Sequence, residues 1–273
     1  MGSEMCIRDR SGKTTVADAG DITTTTGNVT FGANRTGSLL TSGDVTTSGG
    51  DIRFAGSTVL GKDVSIDTGI AAGAVSFNGS VDGDYLLSLT AGTGDIKFES
   101  TAGGTTPLSG LKVVSAGGLG LDSAVSVDDE GLDVTSTTVD INGAVTTKNG
   151  GSAKIANTGL LTIASAGDMN LDGKFTQDGE GSVSIAGDIK TSSDDISFAS
   201  GLTLSGDIKL DTGSDKGDIS FLGSVDGDQG LTLKTGTGDA TLTGAVKELT
   251  GLTVDCLLYT SPSPRDATLS RMP

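Results

Sequence analysis

The side chains able to do chemistry in this chain are almost all carboxylates. Lys and Arg total 18 against 35 Asp and Glu, there is no His, and the only thiols are Cys6 and Cys256. Ser/His and Cys/His nucleophilic catalysis therefore has no base, and ordinary zinc sites have no ligand set. What remains is acid and base work, or cation binding, by paired carboxylates. The best-placed are Asp82 with Asp84 and Asp226 with Asp228, each pair in a "VDGD" turn, and the run Asp128, Asp129, Glu130. Such groups suit Ca²⁺, which takes several oxygen ligands, or the acid and base of a glycan-cleaving enzyme. The spacing fits neither an EF-hand loop nor the nonapeptide calcium repeat. Turn Asp residues held in solvent account for the same positions without any ligand. The expectation is therefore no catalytic residue, no metal ligand and no cofactor site. "SGKTT" at 11–15 is similar to the end of a phosphate-binding loop, but Ile7 stands where that loop needs its first Gly.

The two ends differ in kind from the interior. One permitted codon choice for Met1 to Arg10, "MGSEMCIRDR", is GTG GGC TCG GAG ATG TGT ATA AGA GAC AG. Its reverse complement in a shifted frame encodes "CLLYTSPSP", Cys256 to Pro264. One inverted DNA sequence, of the kind used as a transposon-end adapter, accounts for both, and "RDATLSRMP" (265–273) fits its continuation. Residues 1–10 and 256–273 are read as adapter-encoded and are set aside before fold reasoning. With them go both cysteines, Tyr259, Pro262, Pro264 and Pro273, which leaves Pro107 and Tyr85 as the interior's only proline and tyrosine. The ends carry Arg8, Arg10, Arg265 and Arg271 against Glu4, Asp9 and Asp266, so the interior holds −18 where the whole chain holds −17.

That acidity disfavours nucleic acid and anionic membrane as partners. No run approaches the ~18–20 apolar residues that cross a bilayer, so the chain is not expected to span a membrane. An interior without Cys suits an oxidising exterior. The sequons at Asn28, Asn34 and Asn78 are expected by chance in a chain this rich in Gly, Ser and Thr, and the Thr/Ser-rich outer faces are ordinary exposed-strand chemistry.

The elements that must hold the carboxylates are set by a period. Phe31, Phe54 and Phe77 are 23 apart, as are Phe175, Phe198 and Phe221, and the second set follows the first by 144 residues. At that offset "SFNGSVDGDYLLSLTAGTGD" (76–95) matches "SFLGSVDGDQGLTLKTGTGD" (220–239) at 14 of 20 positions, and the likeness covers 43–98 over 187–242. Within each unit lie short alternating strands such as "DIRF" (51–54) and "DISF" (195–198, 218–221), with Ile and Phe on one face. Ile66, Leu89, Leu210 and Leu233 follow their Phe by 12 residues. Between strands come "GD", "DG" and "TGTGD" turns. A unit this small cannot bury its own apolar face and must stack on its neighbours. The reading is an all-β parallel β-solenoid, right-handed as parallel crossovers are, with coils of about 23 residues over 11–255. At ~4.8 Å per coil this makes about 10 or 11 coils and a rod about 50 Å long. Residues 101–173 keep the style without the Phe markers, so uneven coils and a bulge at "DDEG" (128–131) are expected.

"GDISFLGSVDGDQGLTLKTGTGDATLTGAV" (217–246) and "TTPLSGLKVVSAGGLGLD" (105–122) resemble bacterial β-strand-repeat exoproteins of the filamentous-haemagglutinin type. The resemblance covers most of 20–255 and implies a shaft segment of a large secreted or cell-surface adhesin. It implies an outer-membrane secretion partner for the parent protein. It also implies recognition of host or neighbouring-cell glycans or proteins through regions outside this segment. The alternative is a carbohydrate-active β-helix enzyme, a lyase or hydrolase using Asp carboxylates.

Overall fold

The structure, a computed structural model, describes residues 5–7, 13–25, 27–32 and 38–256. Its regular structure is strand throughout, paired in parallel, and the chain winds through three faces per turn. The first face is an eleven-stranded sheet running from Met5–Ile7, Val29–Phe31 and Ile52–Phe54 to Leu202–Leu204 and Val225–Asp226. Facing residues from Val29 to Val225 are separated by 23, 23, 21, 23, 20, 22, 22, 19 and 23 residues. The solenoid and its approximate period are thus as the sequence implies.

The second face takes Ser38–Thr41, Thr58–Leu60 and Val81–Asp82, passes through single bridges at Ala102, and continues to Ile189–Lys190, Ile208–Asp211, Gly230–Gly236 and Gly251–Cys256. The third face takes Val45–Thr47, Val64–Asp67 and Leu86–Thr90, and later Phe175–Gln177, Ile196–Phe198 and Ile219–Phe221. The commonest strand has three residues in an in–out–in pattern, which explains its stability only as part of a stack: it supplies two interior side chains and one outward one. Interior residues meet their own kind from coil to coil. Phe31, Phe54, Phe77 and Phe98 stack with centroids 5.0, 4.7 and 4.6 Å apart, and Phe175, Phe198 and Phe221 at 5.1 and 5.5 Å. Burying an aromatic ring and pairing it with a second is among the larger favourable contributions a single side chain makes.

The expected irregularity in the middle is present. Val125–Ser136 rounds the corner between the second and third faces without a break, pairing with Val145–Thr147 and then with Ala153–Asn157. Opposite it, Leu108 faces Val127 while Gly110 faces Gly131, so residues 128–130 bulge outward.

The two copies of the super-repeat lie on different faces. Phe54 and Phe77 belong to the first face, whereas their counterparts Phe198 and Phe221 belong to the third. From Phe77 the chain makes six full turns and two further faces before reaching Phe221, so 144 residues span six and two-thirds coils. Local structure is nonetheless the same in both. Gly83 and Gly227 share φ values of 129° and 121°, and Gly92 and Gly236 share 56°. Thr68 Oγ1 donates to the carbonyl of Gly73 at 2.7 Å, and Thr212 Oγ1 to that of Gly217 at 2.7 Å. The prism is quasi-threefold: a strand-and-turn unit fits any face.

Of the adapter-encoded stretches, Met5–Ile7 pairs with Val29–Phe31 and Cys256 closes the last strand. The remainder lies outside the described residues, as does Asn34.

Candidate functional site

The turn carboxylates sit where strands begin, and their partners lie one coil further on. Oδ1 of Asp44 accepts the N–H of Ser65 at 2.8 Å, Asp51 that of Ala74 at 2.9 Å, and Asp63 that of Leu86 at 3.0 Å. In the second copy, Asp188 accepts from Lys209 at 2.7 Å, Asp195 from Asp218 at 2.9 Å, and Asp207 from Gly230 at 2.7 Å. The recurrent "GD" before a strand is therefore an inter-coil cap. It satisfies a backbone donor at a corner, where the ladder of the sheet is interrupted. Solvated turn Asp is too weak a description of these residues.

The two "VDGD" pairs do not converge. Asp82 lies on the second face and accepts the N–H groups of Thr105 at 2.7 Å and Thr106 at 3.3 Å, which fixes the loop of the next coil. Asp226 lies on the first face and accepts the N–H of Gly227 at 2.8 Å. Asp84 and Asp228 are exposed at different corners. In the bulge, Asp128 accepts from Asn149 Nδ2, while Asp129 and Glu130 are exposed. Among the described residues no group of three or more Asp, Glu or Cys is arranged to hold a metal ion.

Two carboxylates have shifted acidities. Asn142 Nδ2 donates to Asp122 Oδ1 at 3.0 Å and Lys97 Nζ lies 3.1 Å from its Oδ2. The amide hydrogen bond first, and then the ammonium, hold Asp122 below the usual Asp value against the opposing effect of burial. Asp211 is the buried one. Burial pushes it up, but the hydrogen bonds from Lys209 Nζ and Gly213 N–H, with the charges of Lys209 and Lys234, outweigh this and hold it low.

Among the described residues the surface carries shallow depressions. One of about 270 Å³ is floored by Gly118 and Gly120 and walled by Asp95, Lys97, Asp122 and Asp140. Another of about 280 Å³ lies on the second face beside Asp168, Asp188, Lys190 and Lys209. Outward hydroxyls such as Thr176, Ser197, Ser220 and Thr241 run in single file, because each three-residue strand points one side chain outward.

Sequence reasoning missed a buried polar column at one corner. Gln177 Nε2 donates to Asn157 Oδ1 at 2.9 Å and to the carbonyl of Gly179 at 2.9 Å. Its Oε1 accepts from the N–H groups of Ala199 at 3.1 Å and Ser200 at 3.2 Å. The available signal was an inward amide two residues before a Gly in both "NTG" (157–159) and "QDG" (177–179).

These features define the class as a parallel β-solenoid with acid-capped corners. No known protein-family model, curated protein or solved structure matches the chain.

Proposed function

We propose that this chain is a structural shaft segment of a large secreted or cell-surface bacterial adhesin, and that catalysis is no part of its role. The solenoid is compatible both with such a shaft and with a β-helix enzyme. The observation favouring the shaft is the behaviour of the super-repeat. Duplication has kept the interior stack and the corner caps while turning the unit onto other faces. A site built from side chains across one face needs that face kept, because catalysis depends on fixed relative geometry. A spacer needs only axial continuity.

The carboxylates an enzyme would use support the same reading, since Asp82 holds the backbone of the next coil and Asp226 its own turn. Binding regions and the outer-membrane secretion partner belong, in this reading, to other parts of the parent protein. The test incubates the chain with acidic and neutral glycans while its shape is measured by small-angle scattering. The expected result is a rod without turnover. Turnover abolished by Asp82→Ala or Asp226→Ala would replace the shaft with the enzyme.

A further inference from the structure

Among the differences between the two copies of the super-repeat, one set surrounds a shared carboxylate. Asp67 and Asp211 are equivalent, and each accepts the N–H two residues on, from Gly69 at 2.6 Å and Gly213 at 2.9 Å. In the first copy the outward neighbours are hydroxyls: Thr46 and Thr90 face Asp67 in the adjoining coils, and Ser65 precedes it by two residues. In the second copy the same three positions are Lys190, Lys234 and Lys209.

Two of these lysines are explained within the chain. Lys209 and Lys234 place Nζ 2.7 and 3.4 Å from Asp211 Oδ2. Lys190 is not: it is exposed, and its ammonium has no ion-pair or hydrogen-bond partner among the described residues. The second face consequently carries alternating charge in two columns. Asp188 stands beside Lys190 in one coil, and Lys209 beside Asp211 in the next, with Lys190 in register with Asp211 and Asp211 with Lys234.

We propose that this patch is a contact between two copies of the chain, packed second face to second face with their rods parallel and in register. A two-fold axis along the rod brings each column against the other column of the second copy. Asp188 of one copy then faces Lys190 of the other, reciprocally, and Lys209 faces Asp211. No like charges are opposed. An antiparallel pair matches each column with itself and sets Asp188 against Lys209, reciprocally, so the residue that Asp188 meets tells the two arrangements apart. Charge in the patch is mixed: Lys190, Lys209 and Lys234 stand among Asp168, Asp188, Asp207, Asp211 and Asp255, on a chain whose net charge is −17. Exposed ion pairs contribute little individually and are screened by salt, so the contact is weak and salt-sensitive. It stands independently of the shaft reading.

The test is sedimentation equilibrium of the full chain under reducing conditions, with a variant carrying the first copy's residues, K190T/K209S/K234T. The same backbone accepts those residues around Asp67, so the variant is expected to fold. The wild type is expected to dimerise at low salt, with a dissociation constant rising roughly tenfold or more at high salt. The variant is expected to be monomeric at both. Self-association that survives high salt, or that the variant retains, would overturn the proposal in favour of strand-edge pairing at Gly251–Cys256. Carbodiimide coupling of mixed isotope-labelled and unlabelled chains should give a mixed-label amide between Asp188 and Lys190. A mixed-label amide between Asp188 and Lys209 would reject the parallel arrangement.

Discussion

If strand-and-turn units fit any face, residues 51–90 can be replaced by a copy of 195–234, moving third-, first- and second-face sequence onto the first, second and third faces respectively. The interior positions barely change. Ile52, Phe54, Leu60, Thr68, Phe77, Val81, Leu87 and Leu89 are matched by identical residues at 196, 198, 204, 212, 221, 225, 231 and 233. The differences are Val64→Ile, Ile66→Leu, Val75→Ile, Thr58→Leu and, at a buried corner, Gly56→Ser. Each added methylene contributes about 0.8 kcal/mol if the core accommodates it and costs about 1–3 kcal/mol if it does not. Thr58→Leu removes a buried hydroxyl that has no hydrogen-bond partner, a relief of about 1–3 kcal/mol. Gains and costs are of similar size, so the exchange should change stability by no more than about 3 kcal/mol. Phe31 and Phe98 would still enclose a continuous aromatic stack. The control inserts 196–235 in the same place, a slip of one residue that sends every interior side chain outward. Urea unfolding followed by circular dichroism, with amide hydrogen exchange across 51–90, reads both. A cooperative, protected rod for the in-phase exchange and a broken one for the control are expected. Loss of protection in the in-phase chain, or a cost above about 5 kcal/mol, would refute the equivalence of faces.

Three further outcomes follow from the same geometry. Asp211 is held below its ordinary value in the folded chain, so its contribution is present above the unfolded pKa of about 3.9 and is lost as pH falls through the lower, folded value. Asp211→Asn should therefore flatten the acid limb of the melting-temperature profile between about pH 5 and 2, and an unchanged limb would discount that carboxylate. Gly92→Ala should cost at least about 1–3 kcal/mol, because φ is 56° and a Cβ would lie 2.4 Å from the backbone carbon of Ile70. Gly120→Ala, whose nearest neighbour would be Lys97 Cγ at 3.7 Å, should be neutral or stabilising, and thermal melts of the pair separate backbone strain from the mere loss of a glycine. Gln177→Met keeps the volume but orphans Asn157 Oδ1 and the Ser200 N–H. At about 1–3 kcal/mol for each orphaned group it should be among the costlier core substitutions, and a chemical-denaturation loss below about 1 kcal/mol would show that water takes the place of the amide.

Why some of this is legible in the sequence and some is not comes down to the range of each interaction. The coil length, the strand polarity and the Phe ladder are written locally, as alternation and as spacing near 23. Phe98 continues the first stack but follows Phe77 by 21 residues, so a strict period overlooks it. The caps are hidden for a different reason: "GD" before a strand marks an acceptor, but the donor lies in the next coil, 20 or more residues away, and only stacking joins them. Asn157 and Gln177 occupy inward positions as amides, and their complementarity exists only between coils. Which face a strand occupies has no local signature at all. "DISF" at 218–221 and "AVSF" at 74–77 are read alike and stand on different faces, because uneven coils between them shift the phase by a third of a turn.

That phase shift also separates what the solenoid requires from what it leaves free. Axial neighbours are constrained, since Phe must meet Phe and each cap must meet its N–H one coil along, and these survive duplication unchanged. Outward residues are less constrained: Lys97, which pairs with Asp122 one coil along, is Thr241 in the other copy. Thr46, Ser65 and Thr90 became lysines in the other copy without altering the turn at Asp67 or Asp211. Outward change that is scattered reflects this freedom alone. Where three hydroxyls around one carboxylate correspond to three lysines, and the ammonium of Lys190 has no partner among the described residues, a second charged surface supplies a reason for the change.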